Sequence, residues 1–133
     1  MIAFCCDSNT IIYAAYKMRS NKHRITAYIS IMKRLTIRGH KVNLQVVDKK
    51  SSAAYKKVVE GTWKAKYQLI PPDVHRCNSA EHAICTFKAL LLAILAGVDP
   101  TFPRNMWDKL LPQTELTLNL MRQSTLNPRI FSW

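Results

Sequence analysis

Val42-Asn43-Leu44-Gln45-Val46-Val47-Asp48-Lys49-Lys50-Ser51 is the stretch on which the reading of the fold turns. Val42, Leu44 and Val46 alternate with Asn43 and Gln45, the period of a half-buried β-strand, and that strand delivers Asp48 at its C-terminal end. Upstream, Ile25, Tyr28, Ile29, Met32 and Leu35 recur at helical spacing, with Ser20 or Asn21 as the cap and Gly39 as the stop. Further upstream, Met1 to Cys6 and Thr10 to Lys17 are β-rich runs separated by Asp7-Ser8-Asn9, the signature of an antiparallel hairpin.

Downstream, the sequence predicts a second helix from Ser51 to Trp63 and a short strand from Tyr67 to Ile70, stopped by Pro71-Pro72. A third helix opens at Asn78 or Ser79 and runs to about Gly97. Ile84, Phe87, Leu91 and Ile94 share one of its faces, and it is apolar nearly all round beyond Lys88, which predicts burial on several sides. Phe102 to Ser124 carries further helix that Pro112 should kink or split, and Asn127 to Trp133 reads as an arbitrary stop. The order β, β, α, β, α, β, α, α makes the class α/β.

A chain of 133 residues, 48% hydrophobic, has material for one core and predicts a single domain. Twenty Lys and Arg face eight Asp and Glu, a formal charge of +12, and 14 of those bases fall between Lys17 and Lys66. Such an imbalance speaks about partners, and a polyanion is the obvious one: each base near a phosphate releases condensed counterions. A merely basic, solvated surface is the alternative. The longest apolar run, Ala89 to Val98, is about half of what a bilayer-spanning helix needs, so no membrane partner is expected. Met1 to Cys6 lacks the basic start of a signal peptide, and Cys5, Cys6, Cys77 and Cys85 do not form a secreted disulfide pattern. An intracellular protein with reduced thiols is the expectation.

Among the eight acids, Asp48 at a strand end and Glu81 in the first turn of the third helix are placed to share divalent cations. Taken alone, Asn78-Ser79-Ala80-Glu81 is also the spacing of a capping box, and Asp48 before Lys49-Lys50-Ser51 is an ordinary solvated turn residue. His75, Cys77, His82 and Cys85 fall within eleven residues, but their spacing matches neither usual paired zinc arrangement.

Order supplies what single pieces do not. Tyr67-Gln68-Leu69-Ile70-Pro71-Pro72, then Asn78-Ser79-Ala80-Glu81 and Thr86-Phe87-Lys88, resembles the segment around the catalytic glutamate of copia-type retrotransposon integrases. Asp7-Ser8-Asn9-Thr10-Ile11-Ile12 resembles a hairpin of that core, and Leu44 to Asp48 the strand bearing its second catalytic aspartate. Phe102-Pro103, Trp107, Leu110-Leu111-Pro112-Gln113, Leu118-Asn119-Leu120, Arg122, Ser124 and Asn127-Pro128 look like the closing helix.

The resemblance implies a ribonuclease-H-like core over residues 1–124, with 125–133 as its tail, and metal-dependent joining of element DNA to target DNA. Asp48 and Glu81 match the second and third carboxylates of an Asp, Asp, Glu triad that holds Mg²⁺ or Mn²⁺. DNA contacts fall to Lys88, Arg76, Asn78, Lys49 and Lys50. Lys88, seven positions after Glu81, lies about 20° away around a helix, beside the metals; alone, it reads as a lysine snorkelling off an apolar helix. DNA, a homo-oligomer and a nuclear location are the partners and place this implies.

The pattern also breaks. The family's first aspartate lies on a central strand before the hairpin, and here Met1 begins after it. The expectation is therefore a sheet with two unpaired edges, no metal retained, and no strand transfer by the chain alone. Lys49 beside Asp48 would weaken metal binding, and Cys77 and His82 stand where basic residues are expected. A non-catalytic basic nucleic-acid-binding protein is the second reading.

Overall fold

The computed structural model describes residues 1–18, 20–47, 52–70 and 79–132. The chain is mixed α/β and divides into two compact units. Unit 1 comprises Met1 with Ala14–Cys77, and unit 2 comprises Ile2–Tyr13 with Asn78–Trp133.

Unit 1 opens with α1 (Asn21–Ile37), which Ser20 caps by accepting a hydrogen bond from the His23 N–H. Ala27, Tyr28, Ile31, Met32 and Leu35 form its buried stripe. Tyr28, Met32 and Leu35 are thus core as expected, while Ile25 and Ile29 are half-buried and cede the centre to Ala27 and Ile31. The helix stops because Gly39 adopts φ +82, so that its N–H reaches the Thr36 carbonyl and the His40 N–H the Leu35 carbonyl. That pair of bonds satisfies the last carbonyls of the helix.

The decisive strand is shorter than its pattern: β3 is Leu44–Val47, and it pairs in parallel with β4 (Lys66–Leu69), Leu44 opposite Lys66 and Val47 opposite Leu69. Between them lies α2 (Ala53–Lys57), capped by Ser52 and continued by a π-helical turn, Val58–Thr62, where one helix was expected. The buried face of β3 is also the opposite of the one its alternation suggests. Gln45 and Val47 are half-buried, whereas Leu44 and Val46 are exposed. The reason is α2, whose Lys56 lies over the ring of Tyr67, the partner of Gln45, and so covers the Gln45 side of the pair.

In unit 2, β1 (Ile2–Cys5) and β2 (Thr10–Tyr13) form the expected antiparallel hairpin, and Asn9 at its tip takes φ 56. The third helix, α3 (Ser79–Ala96), packs one face on the hairpin. Ile11, Ala83, Phe87, Leu111 and Leu118 make a core to which Ile2, Phe4, Tyr13, Leu90 and Leu91 are packed. Burial on several sides is not what α3 shows, since only Ala83 and Phe87 are buried and Leu92 is 65% exposed. At 18 residues α3 is long and apolar enough, by length and composition, to cross a membrane, although its apolar run alone suggested otherwise.

Pro112 does divide the following segment, into a 3-10 stretch (Arg104–Leu110) and α4 (Leu111–Leu120), with the proline in the first turn of α4 where its missing N–H costs nothing. The residues after 124 pack back on the rest of unit 2. Phe131 bridges to Gln123, the Thr10 hydroxyl donates to the Ser132 carbonyl, and the Ser132 hydroxyl donates to the Arg122 carbonyl at 2.8 Å. Arg122 in turn donates to the Asn9 carbonyl at 3.0 Å and to its side-chain oxygen, fixing the hairpin tip.

Candidate nucleic-acid interface

The residues assigned to chemistry fare unequally. Glu81 lies in the first turn of α3, half-buried, and Lys88 lies two turns on, exposed. A continuous helix from 79 to 96 carries both, so the spacing argument that sets Lys88 beside Glu81 along one flank applies to it. Asp48, Lys49, Lys50, Arg76 and Asn78 fall outside the described residues, as do His75 and Cys77. The proposed carboxylate pair and the capping box at Asn78 therefore have only their Glu81 half in view. Among the described residues, no three His, Cys, Asp or Glu side chains come together as a metal group, and His82 and Cys85 are both exposed on α3.

Charge is distributed far more sharply than the whole-chain figure conveys. Unit 1 contains fifteen Lys and Arg against three Asp and Glu, a formal +12, and unit 2 contains five against five. The entire excess belongs to one compact unit. Lys17, Lys22, Lys33, Lys41, Lys57, Lys64 and Lys66 are exposed there, whereas Arg24, Arg34 and Arg38 are half-buried along α1. Apart from Asp48 and Asp73, which are not described, Glu60 is the acid of this unit, and it lies 3.8 Å from Lys56. An exposed ion pair of this kind neutralises little.

A shallow cavity of about 240 Å³ opens in the same unit, lined by Ser52, Ala53, Lys56, Tyr67 and Leu69. It lies beside the C-terminal end of β4, and Lys56 Nζ stands 5.9 Å from the centre of the Tyr67 ring. The Tyr67 hydroxyl is buried with no hydrogen-bond partner, and burial raises its pKa, the nearby Arg24 opposing the shift. Lys56 thus brings one positive charge to the cavity, over the ring of Tyr67 and within 3.8 Å of Glu60. Sequence reading missed Lys56 and Tyr67 as neighbours, because they are eleven positions apart and joined only by the crossover from α2 to β4. The high density of lysine between residues 17 and 66 was the one signal available.

Comparison with known proteins adds no relative: no family model matches the chain, and no curated protein or solved structure matches it.

Proposed function

We propose that this chain binds nucleic acid through unit 1 and does not join it, and that it is related to integrase-type cores. The observation that carries the reading is the segregation of charge, +12 on unit 1 and zero on unit 2. A polyanion gains from such a surface by counterion release, without any sequence-specific contact. The integrase component has narrower support. An antiparallel hairpin, a helix, a strand, a crossover to a parallel strand and a helix with Glu81 in its first turn follow the order that the resemblance implies. In that reading Asp48 and Glu81 match two of the family's metal-holding carboxylates, and Lys49 beside Asp48 weakens their hold on Mg²⁺ or Mn²⁺.

Salt-titrated binding of a fluorescent DNA duplex to the purified chain is the test. The expected result is a steep fall of affinity with salt, unchanged by Mg²⁺ or by Glu81→Gln. Changing Lys33, Lys41, Lys57 and Lys64 together to Ala should make the slope shallower by roughly 0.9 for each phosphate that is no longer neutralised. Binding that ignores salt would refute nucleic-acid recognition through unit 1. Mg²⁺-dependent joining abolished by Glu81→Gln would refute the non-catalytic reading.

A further inference from the structure

Among the described residues, the hairpin of unit 2 has one edge held by α4 and one edge with no strand beside it. The Met1 amine donates to the Ala14 carbonyl, and the Ala14 N–H donates back to Met1. In an antiparallel ladder this bonded pair fixes the rest by alternation: Ala3 with Ile12 and Cys5 with Thr10 are bonded, and the backbone groups of Ile2, Phe4, Ile11 and Tyr13 point out of the hairpin. On β2 the two outward groups of Ile11 and the N–H of Tyr13 are satisfied by α4. Asn119 brackets Ile11, and the Tyr13 N–H donates to Glu115 Oε2 at 3.0 Å. On β1, among the described residues, no strand pairs with the outward groups of Ile2 and Phe4.

We infer that two copies of this chain associate through β1, antiparallel, about a two-fold axis at Ala3. Ile2 and Phe4 are the outward-facing residues of β1, so the register that uses both sets Ile2 against Phe4 of the second copy and Phe4 against its Ile2. Each of those pairs exchanges two hydrogen bonds. Ala3 then meets Ala3 of the second copy as a non-bonded pair, the closest approach in the ladder at about 4.5 Å between Cα atoms, where a small side chain is required. The contact is self-complementary, as a two-fold interface must be. It suits a second copy on charge as well: residues 2–6 carry none, and unit 2 is formally neutral. Because the β2 edge is already covered by Asn119 and Glu115, pairing stops at two and builds no fibre.

Amide hydrogen exchange of the unaltered chain across a hundredfold range of concentration tests this. The Ile2 and Phe4 amides should slow about tenfold or more as concentration rises, while Ala3 and Cys5, already bonded inside the hairpin, hold steady. Sedimentation should show twice 15.3 kDa and nothing larger. In a second measurement, Ala3→Cys with the four native cysteines changed to Ser should form an Ala3-position disulfide under mild oxidation, the Cα spacing being within disulfide range. A chain that sediments as a monomer throughout, or one that cross-links through Leu92→Cys on α3 and not through position 3, would overturn the proposal.

Discussion

Asn119 grips the backbone of Ile11 from both sides: its side-chain oxygen accepts the Ile11 N–H at 2.9 Å and its amide nitrogen donates to the Ile11 carbonyl at 2.8 Å. A side chain on α4 thus does for β2 what a neighbouring strand would do. Asn119 is fully buried, so both bonds form away from water. Replacing it with Ala strands a buried donor and a buried acceptor, at a cost of about 2–4 kcal/mol. Asn119→Asp should be no better, since a carboxylate cannot donate to the carbonyl and would be buried. Urea melts of the two variants check this; a loss under about 1 kcal/mol for both would show that the α4 clamp is dispensable.

Phe87 and Leu92 separate the two faces of α3. Phe87 is buried against the hairpin with its ring 6.0 Å from that of Tyr13, and Phe87→Ala should cost about 3–5 kcal/mol. Leu92→Lys should lie within about 0.5 kcal/mol of the parent, because its side chain faces away from the core. Equal losses from the two changes, read by thermal melts, would mean that the exposed face of α3 is covered in solution.

Gly39 ends α1 at φ +82, and a Cβ there would meet no atom within 4 Å. Steric clash is therefore absent and the penalty is purely conformational. Gly39→Ala should destabilise unit 1 by about 1–2 kcal/mol, and Gly39→Asn by less, since Asn enters the left-handed region more readily. Denaturation followed by Trp63 fluorescence would report the order of the two.

Tyr28 and Tyr55 pack with ring centres 4.9 Å apart in the core of unit 1. Burial pushes the Tyr28 hydroxyl up to about 12, and Tyr55 rises in the same direction, through burial first and then the neighbouring Tyr28 and Tyr67, against the pull of Arg24. An unfolded tyrosine ionises near 10, so above that pH the folded chain holds protons that the unfolded chain has released. Stability is therefore fully present below about pH 10 and falls as pH climbs toward 12, by on the order of 2 kcal/mol for Tyr28. Melts between about pH 8 and 11.5 should show a plateau and then a decline, and Tyr28→Phe should flatten part of it. A curve that falls evenly from the neutral side would point to other groups.

The legible part of this fold was local. Period-two alternation, the Asp7-Ser8-Asn9 turn, the Ser20 cap and the Gly39 stop each depend on a few neighbouring residues, and the hairpin, α1 and the existence of β3 and β4, though not their parallel pairing, followed from them. Element boundaries and burial were less accessible. Leu44 and Val46 have the pattern of an inward face, yet α2 covers the side of Gln45 and Val47, and no strand pattern says which side a later helix will take. Likewise α3 has the composition of a helix buried all round, but only its Ala83 and Phe87 face finds a partner. Of the candidate site, Glu81 and Lys88 were placed correctly on one helix, and the cavity at Lys56 and Tyr67 was not foreseen.

By itself the sequence determined the order and type of the helices and strands, the turns and the sign and size of the charge, because backbone preference and net charge are properties of adjacent or summed residues. Only the tertiary structure decided which residues meet. It alone confined the whole +12 to one compact unit, brought Asn119 and Glu115 onto the edge of β2 from over a hundred positions away, and left the outward groups of Ile2 and Phe4 without a strand among the described residues. Hydrogen bonds and burial are made between surfaces, and which surfaces face one another is settled only when the chain has folded.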